Sequence, residues 1–200
     1  TAASIKWMSD LISFPVDIRN ACVFLAPVFA GFTAISTYLL TKECTNRAET
    51  GLLAAFFMAI VPSYVSRSVA GSYDNEGVAI FALITTFYLW IKSVNTGSIF
   101  YSLLCVLSYF YMVAAWGGYS FIINIIPIFV FGTIFINKFN LKIFVAYNVF
   151  YVLGSIMAML IPFVNFQVVK SSEHLISHCV FCIMNVYVFI DIVKKNLHEE

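Results

Sequence analysis

SVNTGSIFYSLLCVLSYFYMVAAWGGYSFIINIIPIFVFGTIFIN, residues 93–137, is a run of 45 positions without one charged side chain. At about 1.5 Å of rise per residue, a single helix of that length would be more than twice as long as a bilayer's ~30 Å hydrocarbon core is deep. Ala115-Trp116-Gly117-Gly118-Tyr119 divides it, because two glycines loosen a helix and two aromatics suit the membrane interface. The run reads as two transmembrane helices in series. On either side, charged residues mark off further apolar segments. Residues 20–41 give 22 uncharged positions and residues 50–66 give 17. Residues 77–91 give 15, short unless Glu76 and Lys92 lie at the interface. Residues 143–169 and 174–190 supply a sixth and a seventh segment. The expected fold is all-α: a polytopic membrane helix bundle with about seven transmembrane helices, the whole of residues 1–200 being part of one transmembrane domain.

Composition points the same way. Hydrophobic residues make up 62% of the 200 positions, charged residues 10%, and mean hydropathy is +0.93. A water-soluble globule carries about a quarter of its residues as charges, so a soluble domain is excluded, as are disordered and coiled-coil chains. The net charge of +1 gives no basic excess for nucleic acid and no acidic tail. Phenylalanine and tyrosine abound as lipid contacts and interfacial belts, and no internal repeat is visible. Pro62 and Pro127 read as kinks that neighbouring helices accommodate. Five cysteines at irregular spacing are no disulfide framework. Cys179 and Cys182 fall on one helical face inside an apolar run and read as packing residues rather than a redox or metal pair. The chain opens at Thr1, carries no signal peptide pattern and reads as an internal piece of something longer.

Alternating crossings allow a test of sidedness. With residues 42–49 in the cytosol, Lys42, Arg47, Lys92, Lys138, Lys142, Lys194 and Lys195 share that side, against Lys6, Arg19, Arg67 and Lys170 opposite. That places residues 63–76 on the extracytosolic or lumenal face.

This segment contains the one stretch that looks chemical: Ser66-Arg67-Ser68-Val69-Ala70-Gly71-Ser72-Tyr73-Asp74-Asn75-Glu76-Gly77. Ionisable groups at a membrane boundary are costly unless paired, solvated or used. On extended backbone, Asp74 and Glu76 point to one side; on a helix they diverge. Gly71 and Gly77 bracket them and favour a non-helical loop. Convergent carboxylates there suit a hard divalent cation such as magnesium or manganese, Mg2+ or Mn2+. A second reading stands beside it with equal weight. Asp74 or Ser72 caps the third span, Glu76 complements the positive helix end, and Arg67 pairs with either acid.

Residues 66–77 resemble the second acidic motif of the eukaryotic oligosaccharyltransferase catalytic subunit. Phe14-Pro15-Val16-Asp17-Ile18-Arg19-Asn20 is similar to the start of that family's second span. Tyr88-Leu89-Trp90-Ile91-Lys92, Tyr109-Phe110-Tyr111-Met112-Val113 and Trp116-Gly117-Gly118-Tyr119 resemble its following spans in order, and Ser171-Ser172-Glu173-His174 a later lumenal stretch. The resemblance implies a multi-pass membrane fold of the GT-C type in the endoplasmic reticulum, with the acidic motif lumenal. It implies transfer of an oligosaccharide from dolichyl diphosphate to Asn of Asn-X-Ser/Thr in an acceptor polypeptide, beside other oligosaccharyltransferase subunits. Carried over residue by residue, Asp74 and Glu76 are metal ligands and Arg67 is an arginine important for activity. The family's first acidic motif, its later Ser-Val-Ser-Glu and its Trp-Trp-Asp-Tyr-Gly motif have no counterpart here, nor does its soluble lumenal domain. Glu173 reads as an interfacial surface charge. The piece alone is expected to be inactive. The rival functions are another polyprenyl-phosphate-dependent glycosyltransferase, an ion-coupled transporter with Arg67, Asp74 and Glu76 as a relay, and a non-catalytic scaffold.

Overall fold

In lipid every backbone N–H and C=O must find its partner inside the segment, so apolar runs fold as helices. In the computed structural model, which describes residue 7 and residues 17–71 and 74–198 (backbone alone at 18, 21, 195, 196 and 198), all regular structure is helical. Its helices are α1 (Ile18–Thr45), α2 (Ala48–Ile60), α3 (Pro62–Val65), α4 (Asn75–Thr96), α5 (Ile99–Ala115), α6 (Ser120–Phe135), α7 (Leu141–Met159), α8 (Gln167–Lys170) and α9 (Leu175–His198). Among the described residues, five segments are long and apolar enough to cross a membrane: Cys22–Thr45, Asn75–Thr96, Gly117–Phe135, Leu141–Met159 and Ser172–Lys194. Ala48–Ile60 and Ile99–Ala115 occupy the other two expected places but are shorter. The chain is a multi-pass membrane protein; among the described residues, five apolar helices reach spanning length and two fall short of it.

The breaks have local causes. Asn46 ends α1 at φ 55°, returning its N–H to the Lys42 carbonyl, a left-handed cap that asparagine tolerates. Pro62 does not kink the second span; it ends it. Lacking an N–H, it forces Val61 out of the helix (φ −60°, ψ 120°) and restarts the chain as the first residue of α3. Likewise α7 stops at Met159, three residues before Pro162, so the sixth segment ends well short of residue 169. The break within residues 93–137 falls where the glycines put it: α5 ends at Ala115, and Gly117–Tyr119 form a 3-10 turn. A Cβ on Gly118 would fall within the Trp116 ring.

Two compact units divide the chain at Tyr88 and Leu89. In the first, α2 packs back along α1, and Gly51 makes the approach: a Cβ there would lie 2.9 Å from the Tyr38 carbonyl oxygen. α1 and α4 run parallel, since Phe29 meets Phe81 (ring centroids 5.5 Å) and, further along both, Ser36 bonds Thr85 at 3.0 Å. The chain between them must therefore return through the unit's depth.

In the second unit α5 and α7 run parallel. Lys142, at the start of α7, donates Nζ to the Asn95 carbonyl near the end of α4, just ahead of α5, and Tyr109 of α5 packs on Phe150 and against Gly154 further along. α9 runs against α7, with Tyr147 donating to the Ser177 carbonyl at 3.1 Å and Phe139 facing Tyr187. Tyr109, Met112, Ile122, Tyr147, Phe150 and Met184 are fully buried. In both units large apolar side chains are exposed, among them Phe24, Phe56, Phe135, Leu160 and Phe189. Such a surface belongs against lipid. Cys179 and Cys182 lie on that outer surface of α9 rather than packed inside, which corrects the expectation for them.

Candidate functional site

The site is built upward from α1. Thr33 is fully buried and donates its hydroxyl to the Phe29 carbonyl at 2.8 Å. Its one proton thus spent, it accepts from the Tyr64 hydroxyl at 2.7 Å. Burial pushes the Tyr64 phenol up, partly offset by the bond to Thr33, and the residue serves as a neutral donor. Ser68 Oγ donates to the Tyr64 carbonyl at 2.9 Å, so the chain leaving α3 is fixed to α1 by side-chain hydrogen bonds. Three residues later Gly71, at φ +92°, donates its N–H to the Val23 carbonyl of α1 at 3.2 Å.

Arg67 stands between these two ties. Its guanidinium, about half exposed (52%), forms an ion pair with Glu76, whose side chain is 27% exposed. Asp74 is exposed and immediately precedes α4; Glu76 lies in that helix's first turn. Asn75 opens the helix and Gly77 is buried within it. The expected non-helical loop through residue 77 is therefore corrected. A glutamate in the first turn is favoured by the helix dipole, and the gain from continuing the helix outweighs the entropy cost of one glycine. Asp74 and Glu76 accordingly do not converge by strand alternation.

The structure brings Arg67 and Glu76 together and leaves Asp74 at the N-cap position beside them in sequence. Ser72, the other candidate cap, lies outside the described residues, as do Lys6, Asp10 and residues 14–16. Among the described residues, no three His, Cys, Asp or Glu side chains converge on one point. Asp17 is exposed at the start of α1, its carboxylate accepting from the Arg19 N–H, and Glu173 is exposed as expected.

Two side-chain features escaped the sequence. One is the Thr33–Tyr64 tie, signalled only by a hydroxyl inside an apolar span. The other lies in the second unit, where Tyr151 bonds His178 Nδ1 and His178 Nε2 donates to the Val168 carbonyl at 3.1 Å. His174 beside them is fully buried, with Nδ1 bonded to Ser171 Oγ at 2.9 Å.

The sequence profile of the family described as "Oligosaccharyl transferase STT3, N-terminal" matches residues 1–198. The dolichyl-diphosphooligosaccharide–protein glycosyltransferase subunit stt-3 of Caenorhabditis elegans is 52% identical over 200 residues, covering 100% of this chain and 26% of that protein. The corresponding subunit of Dictyostelium discoideum is 48% identical over 200 residues, 100% of this chain and 28% of its own length. The chain thus spans about a quarter of the curated relatives it matches. The apo crystal structure of the Archaeoglobus fulgidus oligosaccharyltransferase aligns with a TM-score of 0.77 at 17% identity, over 96% of this chain and 25% of that one. The same enzyme in complex with Zn and sulfate aligns at 0.74 and 18% identity, over 96% and 28%. At that identity the likeness is one of fold.

Proposed function

The chain belongs to the oligosaccharyl transferase family whose N-terminal profile it matches, and on that premise we propose that it is part of a catalytic subunit of protein N-glycosylation. The reaction moves a preassembled oligosaccharide from dolichyl diphosphate to the side-chain nitrogen of Asn in Asn-X-Ser/Thr. What carries the reading is the segment 66–77, with one arginine and two carboxylates at the mouth of α4, in a chain whose residues 1–198 match the family's N-terminal profile.

The donor set fits a hard divalent cation in part. Asp74 presents an exposed carboxylate, and Glu76 turns one oxygen to Arg67 while a carboxylate has further acceptor capacity. Asp74 and Glu76 would hold the ion, with the rest of its shell filled by water and by groups beyond this pair. Manganese or magnesium, when bound, supplies positive charge for the diphosphate leaving group.

The chain's own residues do the remaining work. Arg67 fixes the carboxylate of Glu76 and keeps further N–H groups for phosphate oxygens, whose geometry its planar fork matches. The N-terminus of α4 adds its dipole toward the same anion. An amide nitrogen is a poor nucleophile, because its lone pair is delocalised into the carbonyl. The site must therefore hold and polarise the acceptor carboxamide against carboxylates close to the sugar, and that work needs more acids than Asp74 and Glu76 supply. This site faces the lumen of the endoplasmic reticulum, where the lipid-linked donor, the acceptor polypeptide and the other oligosaccharyltransferase subunits meet it.

The test is Asp74→Ala in the full-length protein within its complex. Transfer to an Asn-X-Thr peptide should be abolished. Loss of a helix cap alone costs about 1 kcal/mol and leaves activity near normal, and that outcome would refute the metal-ligand role.

A further inference from the structure

An α-helical carbonyl normally accepts the N–H four residues on. For Val23 that partner would be Pro27, which lies inside α1 and has no N–H to give. The N–H of Gly71 reaches the Val23 carbonyl instead, at 3.2 Å. Gly71 arrives there at φ +92°, a region that residues with a Cβ rarely adopt. A Cβ at this position would meet nothing within 4 Å, so conformation and not crowding is what calls for glycine. The second tie, Tyr64 to Thr33, lies ten residues further along α1, about 15 Å away. Residues 64–71 are thus fastened along α1 at both ends, with Arg67 between the fastenings.

We propose that Pro27 and Gly71 are positioning residues for the acidic site. The proline leaves the Val23 carbonyl without its helical donor. The left-handed turn at Gly71 delivers a donor to it, and this latch holds the segment that carries Arg67 and leads into Asp74. Neither residue touches substrate; both act through Arg67, Asp74 and Glu76. The kinetic consequence rests on the function proposed above, while the latch itself does not.

The experiment uses the full-length protein in its complex, reconstituted in phospholipid vesicles. Hydrogen exchange is followed in peptides covering residues 66–74, and transfer to an Asn-X-Thr peptide is titrated with manganese. Pro27→Ala returns an N–H that competes for the Val23 carbonyl; Gly71→Ala keeps its N–H but opposes the required φ. Each should speed exchange of the segment by on the order of five-fold, the worth of one hydrogen bond. The double variant should add little, because both changes break the same contact. Pro127→Ala, in α6, should leave this segment's exchange unchanged. The manganese concentration for half-maximal transfer should rise several-fold in both single variants, with KM for the acceptor peptide little moved. Unchanged exchange in Pro27→Ala overturns the latch. Faster exchange with unchanged manganese dependence overturns the positioning role, provided Asp74→Ala does abolish transfer. If Asp74→Ala is also silent, the metal reading has failed, and the exchange result alone decides the latch.

Discussion

Replacing Arg67 with alanine separates a structural ion pair from a cation that serves the reaction. The side chain is about half exposed and its partner Glu76 is 27% exposed, so solvent screens the pair. Exposed pairs of this kind contribute about 0.2–1 kcal/mol to folding. For a domain of this size that is at most about 4 °C in Tm. A donor aimed at charge developing on a leaving group is worth far more: its loss costs about 10²–10³ in kcat, some 3–4 kcal/mol. The two roles therefore differ by well over an order of magnitude in the ratio of activity lost to stability lost. The assay is glycan transfer to an Asn-X-Thr peptide by full-length protein in its complex, set against thermal unfolding of the same preparation. Arg67→Lys should fall between wild type and Arg67→Ala, since an ammonium keeps the charge but not the fork. Activity that falls only in step with the folded fraction would refute the catalytic reasoning and leave Arg67 as a partner of Glu76.

Gly51→Ala should destabilise the first unit by about 1–3 kcal/mol, because the added Cβ meets backbone and ring of Tyr38 at 2.9 Å; thermal unfolding in detergent measures it. Tyr64→Phe should cost about 1 kcal/mol and raise hydrogen exchange in the segment that follows, since Thr33 loses the donor that satisfied it. Gly97→Ala should be destabilising on two counts, a φ of +73° and a Cβ 3.0 Å from the Lys142 stem, and a stability equal to wild type would contradict both.

The helices were legible because hydrophobic runs in lipid leave the backbone no alternative. The break at residues 115–119 was legible because Gly-Gly beside tryptophan has a local cause. Prolines were harder. Pro62 looks like a tolerated kink on hydropathy alone, yet Val61 before it is turned out of the helix and the segment ends there. Pro27 shows the opposite outcome: the helix runs on through it, and the N–H of a glycine 44 residues away in sequence reaches the carbonyl it frees. No local pattern announces such a long-range bond. At the site itself, residue types pointed to Arg67, Asp74 and Glu76, but the loop expected to run through residue 77 gives way to helix at Asn75. Gly77 read as a breaker, whereas its burial within α4 and the favourable placement of Glu76 in the first turn carry the helix through it. The ion pair between Arg67 and Glu76 was one of two arrangements the sequence left open.

Everything proposed for the chemistry turns on Asp74 and Glu76 holding a divalent cation together. The direct measurement is manganese binding, followed by electron paramagnetic resonance, to the full-length protein in its complex and to its Asp74→Ala and Glu76→Gln variants. Each substitution should weaken binding at least ten-fold, because each removes one of the charged oxygen donors assigned to the ion. Equal manganese affinity in wild type and both variants would contradict the assignment and return these residues to capping and pairing.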